Sequence, residues 1–202
     1  MIIRHQKGRG NKIHLYLDDE YVITTDANFW ADNYISDGTE VDEDEWQELV
    51  EGINYKKALN KCADLLSRRD HSVKEMKMKL QRTVDSKSAQ KAIDRYIEAG
   101  YLDDERFCRS LVEYLINNKK YSENHIRQEC YKRGISSDII NNVLEDFYID
   151  NVDTIVELIQ SKYLSKLQQE NGTQKVIAAL MRKGFSYSDI KSAFYRLEKD
   201  EI

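Results

Sequence analysis

No proline occurs among the 202 residues, where average usage of about 5% would supply about ten. Nothing therefore forces a helix to stop, and the chain is expected to be mainly helical. Cysteine is nearly as scarce. Cys62, Cys108 and Cys130 are an odd number with no CxxC pair, which excludes a disulfide framework and fits reduced thiols in a cytoplasm. No run of 18 apolar residues exists, and the opening MIIRHQKGRG carries charge where a secretory signal needs an apolar stretch, so no membrane span or export is expected. The sequence also lacks GxxxxGK[ST] and GxGxxG, the glycine-rich loops that cradle phosphates. His5, His14, His71 and His125 show no i, i+4 pairing and no cysteine at zinc spacing, so they read as structural or solvated. These absences point to no catalytic residue, no cofactor and no metal.

Charge is plentiful, at 33% of residues, and unevenly placed. Residues 1 to 55 hold four basic and 13 acidic side chains, leaving 27 basic and 23 acidic for the rest. In the acidic head, Ile13, Leu15 and Leu17 alternate with polar residues, as do Tyr21 and Ile23, with Asp18 to Glu20 between them. That pattern predicts a hairpin, and Ile2 and Ile3 ahead of the Gly8–Gly10 turn add a third strand. Asp26 can cap a helix carrying Ala27, Phe29, Trp30 and Tyr34 that ends at Asp37-Gly38, and a second short helix would hold Trp46 and Leu49. The run Asp42 to Glu45 reads as carboxylates offsetting the positive end of that second helix.

After residue 55 a 3.6-residue period takes over, and the sequence aligns with itself at an offset of 50. Met76 falls on Ile126 and Val176, Leu80 on Cys130 and Leu180, and Ala58 on Cys108 and Leu158. Arg133-Gly134-Ile135-Ser136 likewise falls on Lys183-Gly184-Phe185-Ser186. Three copies of a three-helix unit follow. In the first, Ala58, Cys62 and Leu65 mark one helix, and Ser72 with Glu75 opens a second carrying Val73, Met76 and Leu80. Ala89, Ala92, Ile93, Tyr96 and Ile97 define a third, which Gly100 ends. The second copy carries Cys108, Leu111 and Leu115, then Ile126 and Cys130, then Ile139 to Phe147. The third opens with its longest helix, about Asp153 to Gln169. The expected divisions are 1–54, 55–103, 104–152 and 153–202. One copy alone has too little core, so the three are expected to pack in series as an elongated, curved array with a long concave face suited to another polymer.

The basic side chains recur with the copies. Arg68, Arg69, Lys74, Lys79 and Arg82 lie at the end of one helix and along the next, and Lys119, Lys120, Arg127, Lys132 and Arg133 take the corresponding places in the second copy. Arg182 and Lys183 continue the series. A charge series is often only a solvated face, but periodic placement makes these ten the candidate partner-binding residues. Helix, glycine turn and helix also suggest a DNA-reading motif. In the second copy, however, the would-be reading helix carries Asp138, Glu145 and Asp146 and no base, so three equivalent readers are not expected.

The residues quoted above resemble the RecX family, bacterial regulators of RecA recombinase. The resemblance covers residues 56 to 202 and rests on Leu65-Leu66-Ser67-Arg68-Arg69-Asp70-His71-Ser72, then Glu75 and Lys79-Leu80, and above all on the link Gly100-Tyr101-Leu102-Asp103-Asp104-Glu105-Arg106-Phe107. Val84 stands where the other copies have glycine, and Lys120-Tyr121 where many relatives have a glycine before the serine. The resemblance implies tandem three-helix repeats that bind RecA, lie along the groove of its filament on single-stranded DNA, and inhibit its ATPase, strand exchange and co-protease activities. The chain is expected to act as a monomer, with weak direct contact with DNA at most. A tandem helical DNA-binding protein acting without RecA, and a purely structural adaptor, are the competing readings.

Overall fold

The computed structural model describes residues Met1–Asp200. They form two compact units that divide after Leu102.

The first unit opens with a three-stranded antiparallel meander: β1 (Ile3–Lys7), β2 (Lys12–Leu17) and β3 (Glu20–Asp26), in sequence order. Asp18 and Asp19 turn β2 into β3 with φ of 47° and 70°, the left-handed pair that matches strand twist in a two-residue hairpin. Ile3, Ile13 and Leu15 point to one face, and Trp30, Val41, Trp46, Leu49 and Ile53 cover it. Asp26 caps α1 (Ala27–Asp32) by accepting from Phe29 N. Contrary to the sequence expectation, α1 ends at Asn33, and Tyr34 lies beyond it and is exposed. The Asn33 side-chain amide donates to Phe29 O and so closes the helix locally, well before Gly38.

The larger departure is α2 (Glu43–Leu66), 24 residues in one helix where the sequence suggests a short helix and then a new unit. The division expected between residues 54 and 55 falls inside it. Asp42 and Glu45 form a reciprocal capping box, and three carboxylates occupy the first turn. The N-terminal half buries Trp46, Leu49 and Ile53 against the sheet, and the C-terminal half buries Ala58, Cys62 and Leu65 in the first helical bundle. At 3.6 residues per turn, the step from Ile53 to Ala58 moves the apolar stripe by roughly 140° around the axis. The break in the stripe suggests two elements, while the backbone, free of proline and capped only at its ends, runs on.

The first bundle is completed by α3 (Val73–Leu80) and α4 (Ser86–Glu98), which bury Met76, Leu80, Ala89, Ala92 and Ile93. Ser72 accepts from Glu75 N as the N-cap of α3. Gly100, at φ 72°, ends the run so that Tyr101 N and Leu102 N both donate to Tyr96 O, and Leu102 is buried. Ile97, expected on the apolar face, is exposed instead.

From Asp103 onward, α5 (Asp104–Tyr114), a π-helical turn (Leu115–Lys119), α6 (Glu123–Lys132) and α7 (Ser137–Glu145) form the second bundle. Phe107, Cys108, Val112, Leu115, Ile126, Cys130, Ile140, Val143 and Leu144 fill its core. The third comprises α8 (Asn151–Leu158), a second π-helical turn (Ile159–Tyr163), α9 (Leu164–Leu167), α10 (Gly172–Arg182) and α11 (Tyr187–Asp200). Its core holds Ile155, Leu158, Val176, Leu180, Phe185, Ile190 and Ala193. The apolar residues that align at an offset of 50 are therefore buried in all three copies. Lys120, shortly before the Ser122 cap, turns the chain in the left-handed region at φ 52°. The backbone keeps the turn and carries the side-chain strain. All three cysteines are free and buried. Among the described residues no helix is long and apolar enough to cross a membrane.

Candidate partner-binding surface

The ten basic residues are not equivalent once their neighbours are in view. In the first copy Arg68 donates to Asp64 Oδ1 at 2.7 Å and Arg69 to Glu75 Oε2 at 2.9 Å. The Arg68 guanidinium holds the Asp64 carboxyl below its ordinary range. Lys74, Lys79 and Arg82 form no ion pair within 4 Å among the described residues, and Lys74 and Arg82 are not buried. These three project from α3 and the turn that follows it. Beside them lies Lys77, the offset-50 counterpart of Arg127, which reaches Gln90 Oε1 at 3.1 Å.

The second copy is different. Arg127 is held by Glu123 at 2.8 Å and by Asn141 at 2.7 Å, and Lys120 by Glu157 at 3.0 Å. Lys132 and Arg133 both converge on Glu129, each at 2.7 Å. Lys119 sits 5.5 Å over the Tyr114 ring, a cation–π geometry. For Lys132 and Arg133 the contrast traces to one aligned position: Lys79 in the first copy is replaced by Glu129 in the second. A cation that adds to the field of α3 thus becomes, on α6, an anion that neutralises its two neighbours. Most of these carboxylate partners sit three or four residues away on the same helix, the spacing at which helical side chains meet. That signal is present in the sequence, and a count of bases alone misses it.

Arg133 and then Lys132 draw the Glu129 carboxyl down to about 2 from an ordinary 4.5. A depressed carboxyl contributes stability that is full above about pH 4.5 and fades as pH falls towards 2. The shift alone corresponds to about 3 kcal/mol at 1.36 kcal/mol per unit; with Lys132 largely in solvent, about 2 kcal/mol is expected. Glu129→Gln should lower the unfolding free energy by that amount at pH 7. The gap from the parent should close between pH 4.5 and 2, which denaturant melts across that range will test.

Arg182 ends α10, but Lys183 turns inward and joins the second and third copies. Its carbonyl accepts from Ser122 N at 3.1 Å, and its ammonium donates to Lys119 O and lies 5.0 Å over the Tyr121 ring. Burial lowers the Lys183 pKa, with Lys162 and Lys119 adding to the effect. Its role is structural. What the arrangement offers a partner is one uncompensated cationic strip on α3 and a charge-balanced one on α6.

Comparison with known proteins adds the family context. Models of the first, second and third three-helix domains of RecX match residues 58–95, 103–144 and 149–194. The chain is 30% identical to the regulatory protein RecX of Caldanaerobacter subterraneus subsp. tengcongensis, with 95% of each chain covered. Identity to that of Clostridioides difficile strain 630 is 27%, over 96% of this chain and 93% of the relative. A crystal structure of regulatory protein RecX superposes with a TM-score of 0.64 at 22% identity, covering 95% of this chain and 96% of the other. One of RecX from Lactobacillus salivarius gives 0.61 at 23%, covering 72% and 97%.

Proposed function

Since the chain belongs to the RecX family, we propose that it is a non-enzymatic regulator that binds the RecA nucleoprotein filament on single-stranded DNA. In this reading it inhibits RecA ATP hydrolysis, strand exchange and co-protease activity, and so modulates homologous recombination and the SOS response. The observation that carries the reading is the ordered run of three RecX domain matches along residues 58–194.

The physics is compatible. A filament repeats one protomer surface along its length, so a chain built from three related bundles can make several modest contacts at once. Linking them multiplies their strength without any single contact being tight. The proposed contacts are the basic residues of the first two copies, with Lys74, Lys79 and Arg82 contributing most because no carboxylate of the described chain pairs with them. Lys132 and Arg133 contribute less, because an incoming anion must compete with Glu129.

The test is to add the purified chain to RecA filaments on single-stranded DNA and follow ATP turnover. The parent chain should suppress turnover, and K74E/K79E/R82E should require roughly tenfold more protein or beyond for the same effect, as expected when several of the linked contacts are lost. K132E/R133E should shift the response by less. Turnover unaffected by the parent chain would reject the function; equal potency of parent and triple variant would reject the α3 assignment.

A further inference from the structure

The face of α2 that buries Trp46, Leu49 and Ile53 against the sheet does not stay apolar. Continuing from Ile53 at helical spacing, that face carries Lys57, Asn60, Lys61 and Asp64. A helix face turned toward its own domain ordinarily bears core residues. Here it looks onto a cleft of about 400 Å³ whose other wall is the end of the sheet, with Lys12, Thr24 and Asp26. Lys12 opens β2 and is paired in register with Asp26 at the close of β3.

Two carboxylates line the cleft, and of these Asp64 is paired with a cation while Asp26 keeps its charge as a helix cap. Asp26 accepts from Phe29 N at 2.9 Å as the cap of α1, and Asp64 binds Arg68 at 2.7 Å. Lys61 lies 3.6 Å from Asp64, while Lys12 and Lys57 form no ion pair among the described residues. Lys57 is half-buried, and desolvation alone lowers its pKa. A partly buried ammonium with no ion-pair partner is costly, and an anion bound from outside would offset part of that cost.

We infer that the cleft between α2 and the end of the β2–β3 hairpin is a phosphate-binding site, with Lys57 and Lys61 from the helix and Lys12 from the sheet as its cationic donors and the Asn60 amide as a neutral one. The phosphate is that of a nucleic-acid backbone or of a free nucleotide. The site lies on elements other than α3 and α6, and the inference does not depend on RecA. No carboxylate of the head's acidic run Asp42 to Glu45 lines the cleft.

Three ligands distinguish the sources: inorganic phosphate, a nucleoside triphosphate, and an oligothymidine of about 30 nucleotides, long enough to span a single-strand site of the usual size. Each is titrated into the full-length chain at low salt and followed by calorimetry. At least one should bind, and K57Q/K61Q should weaken that binding roughly tenfold or more, whereas K57R/K61R should retain it, as charge-assisted phosphate contacts require. If only oligothymidine binds, the source is nucleic acid, and the salt dependence of log K should flatten by about 1.4 in K57Q/K61Q, two counterions at about 0.7 each. If the triphosphate or phosphate binds as well, the site takes free anions. No binding of any ligand by the parent chain, or equal binding by K57Q/K61Q, overturns the inference and leaves the lysine stems as packing groups.

Discussion

Gly184→Ala should destabilise the part of the chain from Asp103 onward by about 3 kcal/mol. Two independent costs add. Gly184 sits at φ 89°, where a side chain costs about 1 to 2 kcal/mol. A Cβ there would also lie 2.5 Å from Ser122 Oγ and 2.7 Å from His125 Cβ, and overpacking of that kind costs about 1 to 3 kcal/mol. Ser122 is the buried N-cap of α6, whose hydroxyl accepts from His125 N, so relief of the clash must disturb the start of that helix. Gly100 provides the control. It shares the left-handed conformation, at φ 72°, but a methyl added there would meet nothing within 4 Å, so Gly100→Ala should cost about 1 to 2 kcal/mol alone. Denaturant melts of the two variants separate the contributions. Equal losses would mean that the close approach at Gly184 has no energetic weight.

Asn54→Pro should be at least as damaging in the first unit. Asn54 lies in the middle of α2, where proline removes a hydrogen bond to the preceding turn and clashes with its carbonyl, a loss of about 3 kcal/mol or more. Because α2 contributes to both the head core and the first bundle, the damage should register in both. Fluorescence of Trp30 and Trp46 reports the head, and far-ultraviolet dichroism reports the helices. Both transitions should move to lower denaturant together in N54P, while N54A should stay near the parent. A tryptophan transition left in place while the helical signal shifts would show that the two cores unfold separately.

The bundles are legible in the sequence because their determinants are local. Ser72 and Ser122 announce helix starts, Gly100, Gly134 and Gly184 supply left-handed ends, and the offset of 50 places the buried residues of each copy on those of the next. What stays hidden depends on relations that local periodicity does not encode. The continuity of α2 is masked because its two halves bury different faces. The shortness of α1 depends on the Asn33 side chain turning back to Phe29 O. The role of Lys183 depends on contacts with Lys119 and Tyr121, far earlier in the chain. The candidate surface is legible as a series of bases, but not as a balance of charge. Lys79 and Glu129 occupy the same place in successive copies, and that exchange leaves Arg82 open where its counterpart Lys132, with Arg133, is engaged.

The cap position also diverges among the copies, with Ser72 and Ser122 answered by Gly172, which follows a left-handed Asn171. A methyl on Gly172 would collide with the Lys166 and Leu167 carbonyls, so the chain folds back there more tightly than any serine allows. The copies have thus ceased to be interchangeable parts. A chimera that transplants the second copy's Tyr121-Ser122 into the third would bring a sound capping signal to a site with no room for it.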